Sequence, residues 1–256
     1  MATQTHMTSA GTASSTQRTS EARKPTIALR DARYSDLPVI AHVMALAFWD
    51  DHIFGAIIHP HRDQFPLDSD LYWLRRARIS FWDWHYKWLV AVAKGDDGRE
   101  TVVGIAQWER MGEGAKALEC AWFDPRNLLK PASSLAMSLH ARLWPNRAAD
   151  PANEDIIERC LPCLDDVWVG NRAESWYLSF LAVHPDFQGQ GIGKDLVAWG
   201  LERAEDEGVV ASVISAHGKN EFYKRCGFDE MYKAANVGPL AHTPGSDILW
   251  KWPSKR

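Results

Sequence analysis

The stretch WYLSFLAVHPDFQGQGIGK, residues 176–194, decides how this chain folds. Its first part, residues 176–183, is almost continuously apolar, which is typical of a strand that is covered on both faces. Pro185 ends this strand, and a helix is predicted over 191–207 because apolar side chains recur there at helical spacing. The stretch therefore predicts a buried strand, a glycine-rich turn and a helix in direct succession.

The glycine-rich turn favours a phosphate-binding site over a merely tight turn. Gly189, Gly191 and Gly193 let the backbone approach a ligand closely. The start of the helix adds unpaired N–H groups and the positive end of the helix dipole. A dinucleotide fingerprint is disfavoured because the third glycine comes one residue early. A P-loop is disfavoured because position 188 is Gln and position 195 is Asp.

The rest of the chain alternates strands and helices around this unit. We predict further strands over 26–30, 88–93, 101–109, 209–214, 228–233 and 248–252, and further helices over 35–48, 71–84 and 220–226. Because two strand pairs form hairpins, the predicted α/β (α+β) fold has a mixed, mostly antiparallel sheet flanked by helices. Residues 50–69 are predicted as a loop. The proline-rich residues 112–172 are predicted as a helical insertion within a single domain over 25–256.

Composition disfavours several classes of function. The net charge of −4, from 29 basic and 33 acidic residues, argues against a nucleic-acid partner. No apolar run approaches the ~18 residues that cross a bilayer, so no membrane partner is expected. The pair Cys160 and Cys163 lacks a second ligand pair, and we predict no metal site. Residues 1–24 predict a disordered tail without a secretory signal; a cytoplasmic location is expected, with a mitochondrial one the weaker alternative.

Two signatures resemble those of one enzyme superfamily. Gln188, Gly191 and Gly193 match the pattern Gln/Arg-x-x-Gly-x-Gly/Ala, which is motif A of the GNAT superfamily of acetyl-CoA-dependent N-acetyltransferases. The stretch FYKRCGF, residues 222–228, is similar to the second signature of that family, a Tyr four residues before Gly-Phe. The resemblance covers residues 174–234 and extends weakly over 26–110; it includes neither the tail nor the insertion.

The resemblance implies a GNAT-like domain with acetyl-CoA as co-substrate and no metal. The pyrophosphate would bind the backbone amides of 189–194, and the pantetheine arm would run beside 181–183 like an added strand. That arrangement requires the strand to part from the one over 209–214. A backbone N–H near 181–183 would polarise the thioester carbonyl. The implied cofactor-binding residues are Leu181, Ala182, Val183, Gln188, Gly189, Gln190, Gly191, Ile192, Gly193, Lys194, Asn220 and Tyr223.

Two proton transfers need side chains. Tyr223 matches the family position that protonates the departing thiolate. The acceptor amine must lose a proton first, because an alkylammonium with a pKa of ~10 is charged at pH 7. Many family members use a Glu or His on the buried strand, where this chain has Tyr177 and Ser179. Glu109 is our candidate for the catalytic base, and the other candidates are Asp50, Asp51, His52, His59 and His61.

Aromatic groups beside carboxylates suit an amine, through cation–π contacts and ion pairing. The predicted acceptor-binding residues are Trp49, Asp50, Asp51, Trp108, Tyr177 and Ser179, with Trp122 as a further candidate. The predicted function is acetyl transfer from acetyl-CoA to a primary amine of a small molecule, by direct attack in a ternary complex. A non-catalytic acyl-CoA-binding regulator and a protein lysine or N-terminal acetyltransferase stay open as alternatives. The oligomeric state also stays open, with a homodimer as one option.

Overall fold

The computed structural model describes residues 26–95, 98–118 and 122–254. The predicted tail over 1–24 lies outside the described residues. Seven strands form one sheet in the order β1-β2-β3-β4-β5-β7-β6. The strands are β1 (Thr26–Asp31), β2 (Tyr86–Lys94), β3 (Glu100–Met111), β4 (Ser175–Val183), β5 (Val210–Ser215), β6 (Glu230–Ala234) and β7 (Asp247–Lys251).

Neighbouring strands of the sheet are antiparallel except for β4 and β5, which are parallel. The prediction of a mixed, mostly antiparallel sheet is therefore confirmed. The parallel pair needs a crossover connection, which the helix after the glycine-rich turn supplies. The helices are α1 (Leu37–Ala47), α2 (Ser69–Ser80), α3 (Arg126–Leu143), α4 (Ile156–Cys160), α5 (Ile192–Glu207) and α6 (Asn220–Cys226).

The two faces of the sheet carry different helices. On what we call the front face, α1 and α2 pack on side chains such as Val90 and Ile105. On the back face, α5 and α6 pack on side chains such as Ala91 and Ala106. The alternation along each strand divides the apolar side chains between these two cores.

The loop predicted over 50–69 is partly helical. His52–Ile58 forms a π-helical segment, and the Asp51 carboxylate begins it by accepting hydrogen bonds from the N–H groups of Ile53 and Phe54, both at 2.9 Å. Gly55 is required because a Cβ there would lie 2.2 Å from the Trp49 carbonyl oxygen. The helix predicted from residue 35 begins at Leu37, since residues 34–36 form a 3₁₀ turn.

The described residues of the segment 112–172, which are 112–118 and 122–172, form helices and turns, and part of them lies over the front face. The long helix of this segment, α3, has no buried residue and rests on α2 through polar contacts, such as the 2.9 Å hydrogen bond from the Ser133 hydroxyl to the Arg78 carbonyl. Farther along, Val167 and Trp168 cover β5 and β7. The front face therefore has two covers, with α1 and α2 on one side and the end of this segment on the other.

Within the described ranges, no single helix is long and apolar enough to cross a membrane. One pair of helical segments, Tyr34–Ala47 and His52–Ile58, meets the length and composition criteria together but is bent by 89° at the break between them.

A buried arginine ties the end of β3 to the back of the molecule. Arg110 donates hydrogen bonds to Glu207 of α5 at 2.7 Å and to Glu174, just before β4, at 2.9 Å. Only 5% of the Arg110 side chain is exposed, whereas both glutamates keep over a third of their side-chain surface in solvent. Trp176 donates to the second Glu207 oxygen at 3.0 Å.

We predict that Arg110→Met lowers the free energy of unfolding by about 2–4 kcal/mol, because it leaves carboxylates without their buried partner. The partial exposure of both glutamates keeps the loss toward the lower end of that range. Chemical denaturation measures the change. Arg142→Met, at an exposed position on α3, is the matched control and is expected to change stability by less than about 0.5 kcal/mol. Equal stability of the two variants would contradict the role of Arg110.

Candidate active site

Strands β4 and β5 pair at one end and part at the other. Their parallel register runs from Ser175–Val210 to Leu178–Val213 and then stops. Residues 179–183 continue β4 along β3 alone. Unpaired backbone groups inside a sheet require another partner. The parting leaves one edge of β4 open to an extended ligand, as the expected course of a pantetheine arm requires.

The parting coincides with a β-bulge in β4. Gln107 of β3 pairs with Phe180, and Trp108 pairs with Leu178, so Ser179 is an extra residue without a partner on β3. A bulge re-aims side chains and backbone groups locally. Here it brings Ser179 and Phe180 to the front face together, at the point where β4 leaves β5.

The glycine-rich turn directly follows this open stretch. Gly189 and Gly191 have positive φ angles of 74° and 89°, with open space where a Cβ would stand. Gly191 begins α5, and no side chain caps the helix there. Among the described residues, the backbone N–H groups of 189–194 have no hydrogen-bond partner. The turn therefore presents several free donors at a helix start, which is an arrangement that binds phosphate groups.

Neighbouring side chains hold the turn in place. Gln188 donates from its side-chain amide to the Val183 carbonyl at 3.0 Å, which fixes the turn to the end of β4. A Cβ at Gly193 would lie 3.3 Å from the Phe222 ring, so this position lets α5 approach α6 closely. Asn220 at the start of α6 donates to Asp247 of β7 at 2.5 Å. The side-chain amide of Asn220, which was predicted to bind the cofactor, therefore connects α6 to β7 in this structure.

Tyr223 lies on α6 against the back face of the sheet. Its ring packs edge-on against Phe222 and Phe228, and 8% of the residue is exposed. Gly227 ends α6 in a left-handed conformation, as its place in the second signature leads one to expect. Burial raises the pKa of the Tyr223 hydroxyl above its usual value, so the phenol keeps its proton at neutral pH.

Glu109 occupies the centre of a polar row on the front face. The sheet register places Tyr86 of β2 directly opposite Glu109, and Tyr177 of β4 directly opposite it on the other side. Side chains of directly opposite residues share a face and lie close together. The Ser179 hydroxyl lies 3.5 Å from a Glu109 carboxylate oxygen. The row therefore brings the candidate base to the bulge of β4.

The environment of Glu109 favours its protonated form. Burial raises the pKa of its carboxyl above the usual value, and the negative charge of Asp83 adds to this shift. His85, which contacts Asp83 at 2.8 Å, and hydrogen bonds from Ser179 and Tyr86 act in the opposite direction. Raised pKa values of this kind are typical of groups that exchange protons near neutral pH.

Aromatic side chains flank this row along β4. Trp168, in the segment 112–172, packs against Tyr177 with ring centroids 5.1 Å apart, and its indole N–H donates to Ser212 of β5 at 3.1 Å. At the other end, Phe180 packs against Phe48 at 6.4 Å and Phe54 at 5.9 Å. The polar position at Ser179 therefore lies between two aromatic walls, one from each cover of the front face.

Two predicted acceptor-site tryptophans lie elsewhere. Trp108 is completely buried on the back face, where its indole N–H donates to the Leu196 carbonyl at 3.3 Å. Gly200 of α5 makes room for the ring, because a Cβ there would lie 2.1 Å from it. The prediction for Trp108 was wrong because neighbours in a strand face opposite sides, and Glu109 faces the front. Trp122 is 89% exposed beside α3.

Two candidates from the loop after α1 have structural roles. Asp51 caps the π-helical segment with one carboxylate oxygen. His59 is buried, with its ring nitrogens bonded to the Phe54 carbonyl at 2.6 Å and to the Asn146 amide at 3.1 Å. The second Asn146 side-chain atom accepts from the Ala148 N–H, so His59 must accept from Asn146 and is neutral. Burial also lowers the pKa of His59, so it is not an available base.

The remaining loop candidates lie near the surface. Trp49 is half-buried, with the Arg62 guanidinium 5.8 Å from its ring centroid. Asp50, His52 and His61 are exposed. Further residues lie in this region without having been predicted from the sequence. Tyr86 and His85 act on Glu109 itself, whereas Phe48, Phe54, Phe180 and Trp168 form the aromatic walls on either side of Ser179. Within the described ranges, no group of three or more His, Cys, Asp or Glu side chains could hold a metal ion.

Comparisons with known proteins agree with this geometry. Residues 156–230 match the model of the acetyltransferase (GNAT) domain. A Corynebacterium glutamicum structure, described as histone acetyltransferase HPA2 and related acetyltransferase, is 19% identical with a TM-score of 0.54; the alignment covers 91% of this chain and 99% of that chain. At that identity the likeness concerns the fold.

Two further solved structures are more distant. An acetyltransferase from Thermus thermophilus is 15% identical with a TM-score of 0.46, over 89% of this chain and 97% of that chain. The PaiA N-acetyltransferase from Thermoplasma acidophilum, solved with coenzyme A, is 15% identical with a TM-score of 0.43, over 89% of this chain and 99% of that chain. The matched domain model, the two signatures and the fold shared with the Corynebacterium glutamicum structure together show that residues 156–230 of this chain are similar to the acetyltransferase (GNAT) domain.

Proposed function

We propose that this protein transfers an acetyl group from acetyl-CoA to the primary amine of a small molecule, by direct attack in a ternary complex. The observation that supports this most is the open edge of β4 at residues 179–183, followed at once by the free amides of 189–194. The open strand edge suits an extended ligand chain with amide groups, and the free amides suit a pyrophosphate. Coenzyme A carries both groups in that order.

Glu109 is proposed as the base that takes a proton from the acceptor ammonium. Its raised pKa keeps it a stronger base than an exposed glutamate, and its place beside Ser179 sets it where β4 parts from β5. The free amine then attacks the thioester carbonyl carbon, and a backbone N–H of the parted stretch stabilises the oxyanion. The bond to sulfur breaks as the amide forms.

Tyr223 is proposed as the acid that protonates the thiolate as it leaves. Its buried phenol keeps a proton at neutral pH, and no described residue accepts a hydrogen bond from it. A second proton leaves the nitrogen as the amide forms, and it replaces the one that Tyr223 gives up. One proton is therefore released for each acetyl group transferred, and it leaves through Glu109.

We predict that replacing Gly191 weakens coenzyme A binding. Gly191→Ala forces a side chain into a positive-φ conformation that costs about 1–2 kcal/mol, and the turn distorts to relieve it. Calorimetric titration is expected to show on the order of tenfold weaker binding. Gly208→Ala, at the other end of α5, carries a φ of 67° with open space and is the matched control. The same loss of affinity in both variants would contradict the turn as the binding site.

We predict that Tyr223→Phe lowers kcat by on the order of a hundredfold, because the departing thiolate loses its proton donor. Coenzyme A affinity is expected to stay within about twofold, since the ring and its packing remain. A liberated-thiol assay over a panel of amines, together with a titration of coenzyme A, measures both values. Unchanged kcat in the variant would exclude Tyr223 as the acid.

We predict that kcat/KM falls at acid pH with a midpoint above the ordinary glutamate value, because Glu109 must be ionised to act and its pKa is raised. The titratable groups that face Glu109 are left unsubstituted in the experiment; they are Asp83, His85, Tyr86 and Tyr177. Glu109→Gln is expected to remove this acid limb and most of the activity. Glu113→Gln, at an exposed glutamate paired with Lys116, is the control. If kcat/KM of Glu109→Gln still falls at acid pH with the same midpoint, a residue other than Glu109 is the base.

A further inference from the structure

Glu109 is a largely buried carboxylate that forms no ion pair with a Lys or Arg of the described residues. Its contacts are hydroxyl groups, from Ser179 and Tyr86. Buried carboxylates are ordinarily paired, because an isolated charge is costly to remove from water. Its neighbour Arg110 shows the usual arrangement on the opposite face, with two carboxylates on one guanidinium. A cation from outside the protein would complete the site at Glu109.

Aromatic side chains lie on both sides of Ser179, the residue of β4 that contacts Glu109. Tyr177 and Trp168 lie on one side, and Phe180 with Phe48 and Phe54 lies on the other. These rings are half-buried, so part of each remains available for contact. Aromatic faces attract organic cations and bury apolar groups well. Asp83 and His85 also act on Glu109; they are bonded to each other at 2.8 Å, and the Lys130 ammonium pairs with Asp83 at 2.5 Å.

We propose that the acceptor is an amine with a single positive charge on an apolar, preferably aromatic body, whose ammonium pairs with Glu109 while its body lies against Phe180 or Trp168. This inference rests on the proposed function and names the class of acceptor. An acceptor with a carboxylate beside its amine, such as a free amino acid, is excluded because that group would lie near the Glu109 carboxylate, which repels it. A polyamine is disfavoured because its second ammonium would find no free carboxylate at Asp83, which is already bonded to His85 and Lys130.

Binding without chemistry tests the proposal first. The full-length protein saturated with coenzyme A, which carries no acetyl group, is titrated with 2-phenylethylamine by calorimetry. We expect saturable binding that Glu109→Gln weakens by on the order of tenfold or more, because a charge-assisted contact is lost. Phe180→Leu, which keeps an apolar side chain, is expected to weaken it about threefold to tenfold through the lost aromatic contact. Phe123→Leu on the exposed surface and Glu113→Gln are the matched controls and should bind like the wild type.

Turnover tests the proposal second. With acetyl-CoA, the liberated-thiol assay compares 2-phenylethylamine with L-phenylalanine, which differs by the carboxylate, and with spermidine. We expect kcat/KM for 2-phenylethylamine to exceed both by at least about tenfold. Thermal unfolding of every variant confirms that each is folded before its binding is compared.

The outcomes separate the two proposals. Preferred turnover of phenylalanine or spermidine would overturn the proposed acceptor class and leave acetyl transfer intact. Equal binding of 2-phenylethylamine by wild type and Glu109→Gln would overturn the pairing with Glu109. Absence of thiol release with every amine in a broad panel would overturn the proposed function. The titration of the coenzyme A-saturated protein with 2-phenylethylamine would then still decide whether the site binds this class of amine.

Discussion

The parting of β4 from β5 beyond Leu178 and Val213 is the constraint on which the rest of the site depends. A sheet that gives up backbone pairing in its interior loses hydrogen bonds that folding would otherwise make. The remaining antiparallel pairing of β4 with β3 holds the strand in place, and α5 packs across the back of it. The protein therefore keeps an unpaired edge without unfolding the strand that carries it.

The adjacent residues Glu109 and Arg110 of β3 both carry a buried ionisable group, but their surroundings differ. Arg110 faces the back, and two glutamates from distant parts of the chain neutralise it. Glu109 faces the front, with hydroxyl contacts and a raised pKa. The first arrangement stabilises the fold, because both charges are already paired before any ligand arrives. The second leaves the carboxylate able to take a proton or a cation, which is why these neighbours differ in their expected effect on stability and on activity.

The sequence predicted the parts of this structure that depend on local pattern. Patterns of a few neighbouring residues predicted three features: the apolar strand at 176–183, the glycine-rich turn and the end of a helix at Gly227. The observed β4, α5 and α6 confirm the elements predicted there. Trp108 could have been assigned correctly from alternation alone, since it directly precedes Glu109. The face of Phe180 could not, because the bulge at Ser179 interrupts that alternation.

Contacts between distant segments account for the other differences. His59 looked available in an open loop, but Asn146, which lies 87 positions later, buries and neutralises it. No sequence pattern predicted a role for Trp168, which lies in a segment that matches neither signature. In the structure it donates a hydrogen bond to Ser212 and packs on Tyr177. Such pairings depend on how the segment 112–172 folds back over the sheet, and no local pattern encodes that path.

That path brings the segment 112–172 to the candidate site. A sheet with one face half-covered by α1 and α2 would leave β5 and β7 exposed on that side, and Val167 and Trp168 cover them. The backbone of the same segment bonds to the end of the π-helical segment, with the Asp150 N–H donating to the Ile58 carbonyl at 2.8 Å. Both aromatic walls beside Glu109 are therefore supported by it, one directly and one through this contact. The shape of the proposed acceptor region thus depends on the segment 112–172, whereas the turn at 189–194 is encoded locally by its own glycines.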